Sequence, residues 1–204
     1  MRQLPLVFLI LNSYSLFAQN KSDHSIINSK SLYDRIEFKA SYTGNILWNQ
    51  GITIGAEYLW RQKAYEKKKK RGTKLITHQY VLQSEIGFTF MPATQTDTGL
   101  LTSLGLIWRR TNPKGKQISI GINPIGLYRS ILPEVYEVKG DDVQKKTLAG
   151  RIYYAPSLTF GFGKFRKNKA LSGRYFNFNF GIRTPYNASI LPTFTVSYGY
   201  RFKF

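Results

Sequence analysis

The chain has 204 residues, with 30 Lys and Arg against 11 Asp and Glu for a formal net charge of +19, and it contains 14 Tyr, 14 Phe and no cysteine. The missing cysteine excludes disulfides and a lipid-modified amino-terminal cysteine. Mean hydropathy is −0.30 although 42% of residues are hydrophobic, and after the amino-terminal segment no stretch approaches the ~20 continuous apolar residues of a membrane-crossing helix.

Residues 1–19 place Arg2 before an apolar run from Leu4 to Phe17 and then Ala18. That is the charged, apolar and small-residue order of a secretory signal peptide. The run is too short for a spanning helix and is interrupted by Pro5, Asn12 and Ser13. Cleavage after Ala18 removes Arg2 and no acid, which takes the net charge from +19 to +18. Residues 19–33 are polar and without period, which predicts a periplasmic leader. Export argues against nucleic acid as the partner of the basic charge and leaves an anionic membrane surface or an acidic protein.

From residue 36 the pattern becomes an alternation. Ile36, Phe38, Ala40 and Tyr42 share one face of a strand, because successive side chains point to opposite sides. The same spacing recurs in Ile52, Ile54, Ala56, Tyr58 and Trp60, then in Ile76, Tyr80, Leu82, Ile86, Phe88 and Phe90. Leu100, Leu104, Leu106 and Trp108 make a fourth run, and Ile118, Ile120 and Ile122 a fifth. Leu148, Ile152, Tyr154, Leu158, Phe160 and Phe162 make a sixth, and Phe176, Phe178, Phe180 and Ile182 a seventh. Met91-Pro92, Asn112-Pro113, Leu132-Pro133, Thr184-Pro185 and Leu191-Pro192 punctuate the run ends. The eighth run, 193–204 (TFTVSYGYRFKF), sets Phe194, Val196, Tyr198, Tyr200, Phe202 and Phe204 opposite Thr193, Thr195, Ser197, Gly199, Arg201 and Lys203.

This last segment resembles the final strand of a bacterial outer-membrane β-barrel. The resemblance implies that Tyr198, Tyr200, Phe202 and Phe204 form a signal for the barrel-insertion machinery. The Ala18-Gln19 boundary with a Lys-rich, Cys-free composition is similar to exported Gram-negative proteins of the Bacteroidota. The expected fold is all-β: a transmembrane antiparallel up-and-down β-barrel of about eight strands over residues 34–204, in one domain. The interior of such a barrel is just filled by side chains, so no open pore is expected. The same alternation also fits a soluble sheet covering one core.

On this register Glu37, Glu57, Glu85, Arg129 and Arg151 face the lumen, with Arg35, Lys39, Arg183 and Arg201 on the same polar side. Charges in a narrow, low-dielectric space must be paired or hydrated, which predicts an ion-pair network in preference to a transport path. Leu59, Val81, Leu101 and Ile107 also point inward as packing, along with a row of glycines. With both termini periplasmic, the connections 61–74, 109–116 and 164–174 lie on the periplasmic side and hold 17 of the 30 basic residues. They define a basic rim of Lys67, Lys68, Lys69, Lys70, Arg71, Arg109, Arg110, Lys114, Lys116, Lys164, Arg166, Lys167 and Lys169. Such a rim suits anionic lipid headgroups or an acidic periplasmic protein, although a basic run is equally often a solvated loop. One strand more or fewer would move these loops outside. Trp60 and Trp108 stand beside them as an aromatic girdle or as protein contacts.

The connection 129–147 (RSILPEVYEVKGDDVQKKT) is read as an outer loop whose contacts are Leu132, Pro133, Val135 and Tyr136. Small outer-membrane barrels with hydrolase or acyl-transfer chemistry place a histidine near a serine and an acid at the outer rim. Here His24 falls in the leader and His78 on the lipid-facing side, and no nucleophile elbow or phosphate-cradling loop is present. The expected function is that of a non-catalytic accessory or structural subunit of an outer-membrane protein complex, without cofactor, docking through the basic rim and the outer loop. The alternatives are a free-standing barrel for envelope stability or surface ligand binding, and a narrow channel.

Overall fold

The computed structural model describes residues 32–45, 49–69, 72–91, 98–132, 135–139, 142–146, 149–166, 169–187 and 189–203. The signal peptide (1–18), residues 19–31 of the leader, His24, Lys70, Arg71, Pro133, Lys167 and Phe204 lie outside the described residues, and of the side chains of Lys68, Lys69, Arg166 and Lys169 only their strand positions are described.

Of the described residues 86% are in strands. A short 3-10 turn, Leu32–Arg35, leads into β1 (Ile36–Gly44), followed by β2 (Gln50–Lys69), β3 (Gly72–Phe90), β4 (Gly99–Thr111) and β5 (Lys116–Ser130). A separate two-stranded sheet of β6 (Val135–Lys139) and β7 (Asp142–Lys146) intervenes, and β8 (Ile152–Tyr154), β9 (Ser157–Arg166), β10 (Lys169–Tyr186) and β11 (Ser189–Phe202) complete the chain order. Each of β1 to β5 pairs antiparallel with the next, β5 with β9, β9 with β10, β10 with β11, and β11 with β1. The sheet is therefore a ring of eight antiparallel strands. β8 extends β9 along β5 across Ala155 and Pro156, where the ladder is kept by the Ala155 amide donating to the Gly126 carbonyl at 2.7 Å.

The two faces of the ring are inverted relative to a soluble sheet. Among the described residues, 21 polar or charged residues are buried against 8 hydrophobic ones, while Ile52, Ile54, Ile120, Leu158 and Phe180 are more than half exposed. Period-two alternation produces this directly, since each strand turns its polar set to the inside of the ring and its apolar set outward.

Two irregularities change the phase. In β5 the alternation steps at Pro124 and Ile125, where the pairing with β4 shifts between Leu104 and Leu106. Proline offers no amide to the ladder, and the resulting bulge moves the inward set from odd to even positions. In β2 a shift between Leu59 and Arg61 leaves Trp60 unpaired and pointing outward, after which Gln62 faces inward and accepts from Gln79 at 3.0 Å.

The three basic connections are shorter than the alternation predicts. Segment 61–74 is mostly strand, because β2 and β3 stay paired out to Lys69 opposite Gly72. β1 accompanies β2 only as far as Tyr58, and β4 accompanies β3 only from Thr77, so the tip of this hairpin pairs with nothing but itself. Its six residues from Ala64 to Lys69 extend roughly 20 Å beyond the ring at about 3.4 Å each. Arg109 and Arg110 belong to β4 and Lys116 to β5, joined by the tight turn Asn112–Gly115. Gly115 has φ +75°, and the Asn112 side chain accepts the amides of Lys114 and Lys116 at 3.0 Å. At the opposite end, Arg129 and Ser130 finish β5, and the expected loop 129–147 carries the β6–β7 hairpin.

Candidate functional site

The interior near the basic end of the ring holds three carboxylates, Glu37 of β1, Glu57 of β2 and Glu85 of β3, against three cations, Lys39 of β1, Arg109 of β4 and Arg201 of β11. Formal charges balance within the cluster. Glu57 stands at its centre, fully buried, accepting from Arg109 Nη2 and from Arg201 Nε at 2.9 Å, with Lys39 Nζ at 3.2 Å from its other oxygen. Lys39 also reaches Glu85 at 2.5 Å and donates to Gln83 Oε1 at 2.7 Å. Arg109 meets Glu37 at 3.3 Å. The guanidinium of Arg201 lies over the Tyr175 ring at 4.2 Å and that of Arg109 over Phe165 at 5.6 Å, contacts that favour a desolvated cation.

Strand pairing explains the arrangement. Glu37 is directly opposite Glu57, and Lys39 directly opposite Arg201. Like charges face each other within a row, a destabilising placement by itself, and neutralisation comes from the adjacent row of opposite sign. Gly55, the other cross-strand neighbour of Lys39, supplies the room: a Cβ there would come to 3.1 Å from Lys39 Cε and 3.0 Å from Glu85 Cγ.

Beyond the charges the interior is a hydroxyl and amide network. Ser41 meets Thr53 at 2.5 Å, and Thr43 meets Ser197 at 3.0 Å. Gln83 donates to Asn123, Asn123 to Thr159, Thr159 to Asn179 and Asn179 to Ser197, a chain that crosses the ring. A cavity of about 80 Å³ remains between these groups and Arg183. At the far end Tyr128 and Tyr153 are buried with Ala155, with half-buried Leu101 packed against them, and Arg183 stacks on the Tyr128 ring at 3.6 Å.

Glu37, Glu57 and Glu85 thus come together inside the ring, while Arg129 and Arg151 do not join them. The Pro124 bulge turns Arg129 to the outer face, where it is exposed. Arg151 precedes β8, is exposed, and donates to the Asn187 side chain at 2.9 Å. Arg109 moves the other way: expected at the rim, it is fully buried in the ion cluster. Its position was legible, because Leu101, Ser103, Gly105, Ile107 and Arg109 share one parity, but adjacency to Arg110 and the turn hid it.

Lys67, Arg110, Lys114, Lys116 and Lys164 are exposed at the end of the ring that carries the β2–β3 tip, and Lys68, Lys69, Arg166 and Lys169 occupy strand positions there. His78 sits on the outer face between Tyr65 and Trp108: Trp108 Nε1 donates to Nδ1 at 3.3 Å, and Nε2 is 2.8 Å from the Tyr65 hydroxyl. Tyr198 is exposed on the outer face, Tyr200 and Phe202 are half-buried there, and Phe202 stacks on Phe38 with ring centroids 6.2 Å apart. In the β5–β8 connection Leu132 and Tyr136 are exposed and Val135 is half-buried.

No family model, curated protein or solved structure matches this chain.

Proposed function

We propose that the chain is a non-catalytic β-barrel of the bacterial outer membrane, acting as an accessory or structural subunit of a larger outer-membrane protein complex. The observation that carries the membrane part is the inverted burial: Glu57, Arg109 and Arg201 are at most 1% exposed, whereas Ile52, Ile54 and Leu158 are 57% or more exposed. In water an apolar outer surface of this extent would drive association, whereas hydrocarbon solvates it and requires all backbone polar groups to be paired within the ring. The membrane part is tested by alkaline carbonate extraction: the chain should remain in the pelleted membrane, and release into the supernatant would refute it.

The subunit role is supported by the β2–β3 hairpin. A hairpin tip that pairs only with itself, at the end bearing Lys67 and Lys114, is a projecting cationic element suited to an acidic periplasmic protein. Replacing residues 66–75 by an Asn-Gly turn keeps Tyr65 opposite Ile76 and shortens it without touching the ring. Mild-detergent purification should recover a stoichiometric partner with the native chain and lose it with the shortened one. A lone ring in both preparations would sink the subunit role. A second reading, a free-standing barrel that binds a surface ligand, draws on the opposite hairpin, which exposes Tyr136, Val138 and Val143 together.

A further inference from the structure

On the outer face near the basic end, Lys116 of β5 is directly opposite Lys164 of β9, which is directly opposite Arg174 of β10. All three side chains are exposed. Three like charges in consecutive cross-strand positions are unfavourable, and inside the ring the comparable like-charge rows are neutralised by carboxylates. Here no acid lines the surface: the groove around them, of about 730 Å³, is bounded by Arg110, Lys116, Lys164 and Arg174 with no Asp or Glu among its described residues.

The next row, about 7 Å along the strands, is of a different kind. It runs from Arg110 through Ile118, Phe162 and Phe176 to Tyr198. The row after it, Ile120, Phe160, Phe178 and Val196, carries no charge. A cationic row about 10 Å wide across three strands, standing directly on continuous apolar rows, matches one chemistry: an anionic phosphate attached to hydrocarbon chains.

The geometry points to a binding site for an anionic glycerophospholipid on the outer face of β5, β9 and β10. Lys116, Lys164 and Arg174 hold the phosphate, Arg110 reaches it from the side, and the acyl chains lie along Ile118, Phe162 and Phe176. The site rests on the outer-membrane reading above, and because the row stands at the end where β11 finishes and β1 begins, it assigns the lipid to the inner leaflet. A soluble acidic protein satisfies the cations but not the apolar rows below them.

The test is native mass spectrometry of the purified full chain, given equal amounts of phosphatidylglycerol, zwitterionic phosphatidylcholine and lipid A. Phosphatidylglycerol should remain bound in preference to the other two. Lys116→Gln/Lys164→Gln/Arg174→Gln should weaken its retention on the order of a hundredfold, while Arg61→Gln/Lys74→Gln leaves it unchanged. Heat-dependent gel mobility reports whether the triple variant folds, and the preference of the native chain among the three lipids stands without it. Equal retention of phosphatidylglycerol and phosphatidylcholine by a chain that resists carbonate extraction would overturn the site alone, as would retention by a folded triple variant. Preference for lipid A would overturn the leaflet, and a chain released by carbonate would overturn the site together with the membrane reading.

Discussion

Glu57 is the residue whose surroundings leave the least freedom. Three cations converge on one carboxylate that solvent does not reach, and removing either sign strands the other in a place where water cannot replace it. Arg109→Met and Glu57→Gln should each destabilise the ring by about 3–5 kcal/mol, read as a lowered urea midpoint for the loss of strand circular dichroism in detergent. An unchanged midpoint would show that water already solvates the cluster. The inward position of Glu57 follows from parity alone. The outward position of Arg129 does not, because Pro124 in β5 resets which parity faces inward, and the exposure of Arg151 does not either, because it shares the parity of buried Tyr153 but stands before β8, beyond the last paired residue.

At the scale of elements, the ring and its two hairpins differ in how each strand is supported. β4 has a partner along both edges, whereas β6 and β7 pair only with each other, as does the tip of β2 and β3. An isolated two-stranded hairpin is marginal in water, so its amides open without the ring opening. Hydrogen exchange of the β6–β7 amides and of Ala64 to Lys67 should be complete while Leu104 to Ile107 of β4 remains protected. Equal protection would mean that the hairpins pack on something not seen in the ring itself. The alternation marked where these strands begin but not that β2 and β3 outrun their neighbours, since polar, basic sequence is compatible with both a solvated loop and a solvated ribbon.

For the whole molecule, the interior decides whether anything passes. The ion cluster stands near the basic end, the hydroxyl and amide chain crosses the ring, and Tyr128 with Tyr153 is buried at the far end. A polar cavity of about 80 Å³ remains between them, room enough for ordered water. In planar bilayers the chain should therefore produce no ion conductance steps, and reproducible steps would show that the interior opens under voltage. Absence of conductance would move attention to the two ends and the outer face, where the exposed basic residues and hairpins stand.

The amino-acid sequence by itself determined the all-β class, eight ring strands and the polarity of their two faces, because side-chain direction in a strand repeats every two residues and needs only local information. It also placed Glu37, Glu57 and Glu85 inside. Which residues meet was left to the tertiary structure: the pairing of β11 with β1 that sets Lys39 opposite Arg201, the recruitment of Arg109 from β4, and the alignment of Lys116, Lys164 and Arg174 in one row. Those contacts depend on register between strands far apart in the chain, and a single bulge shifts that register while the alternation on each side of it stays regular.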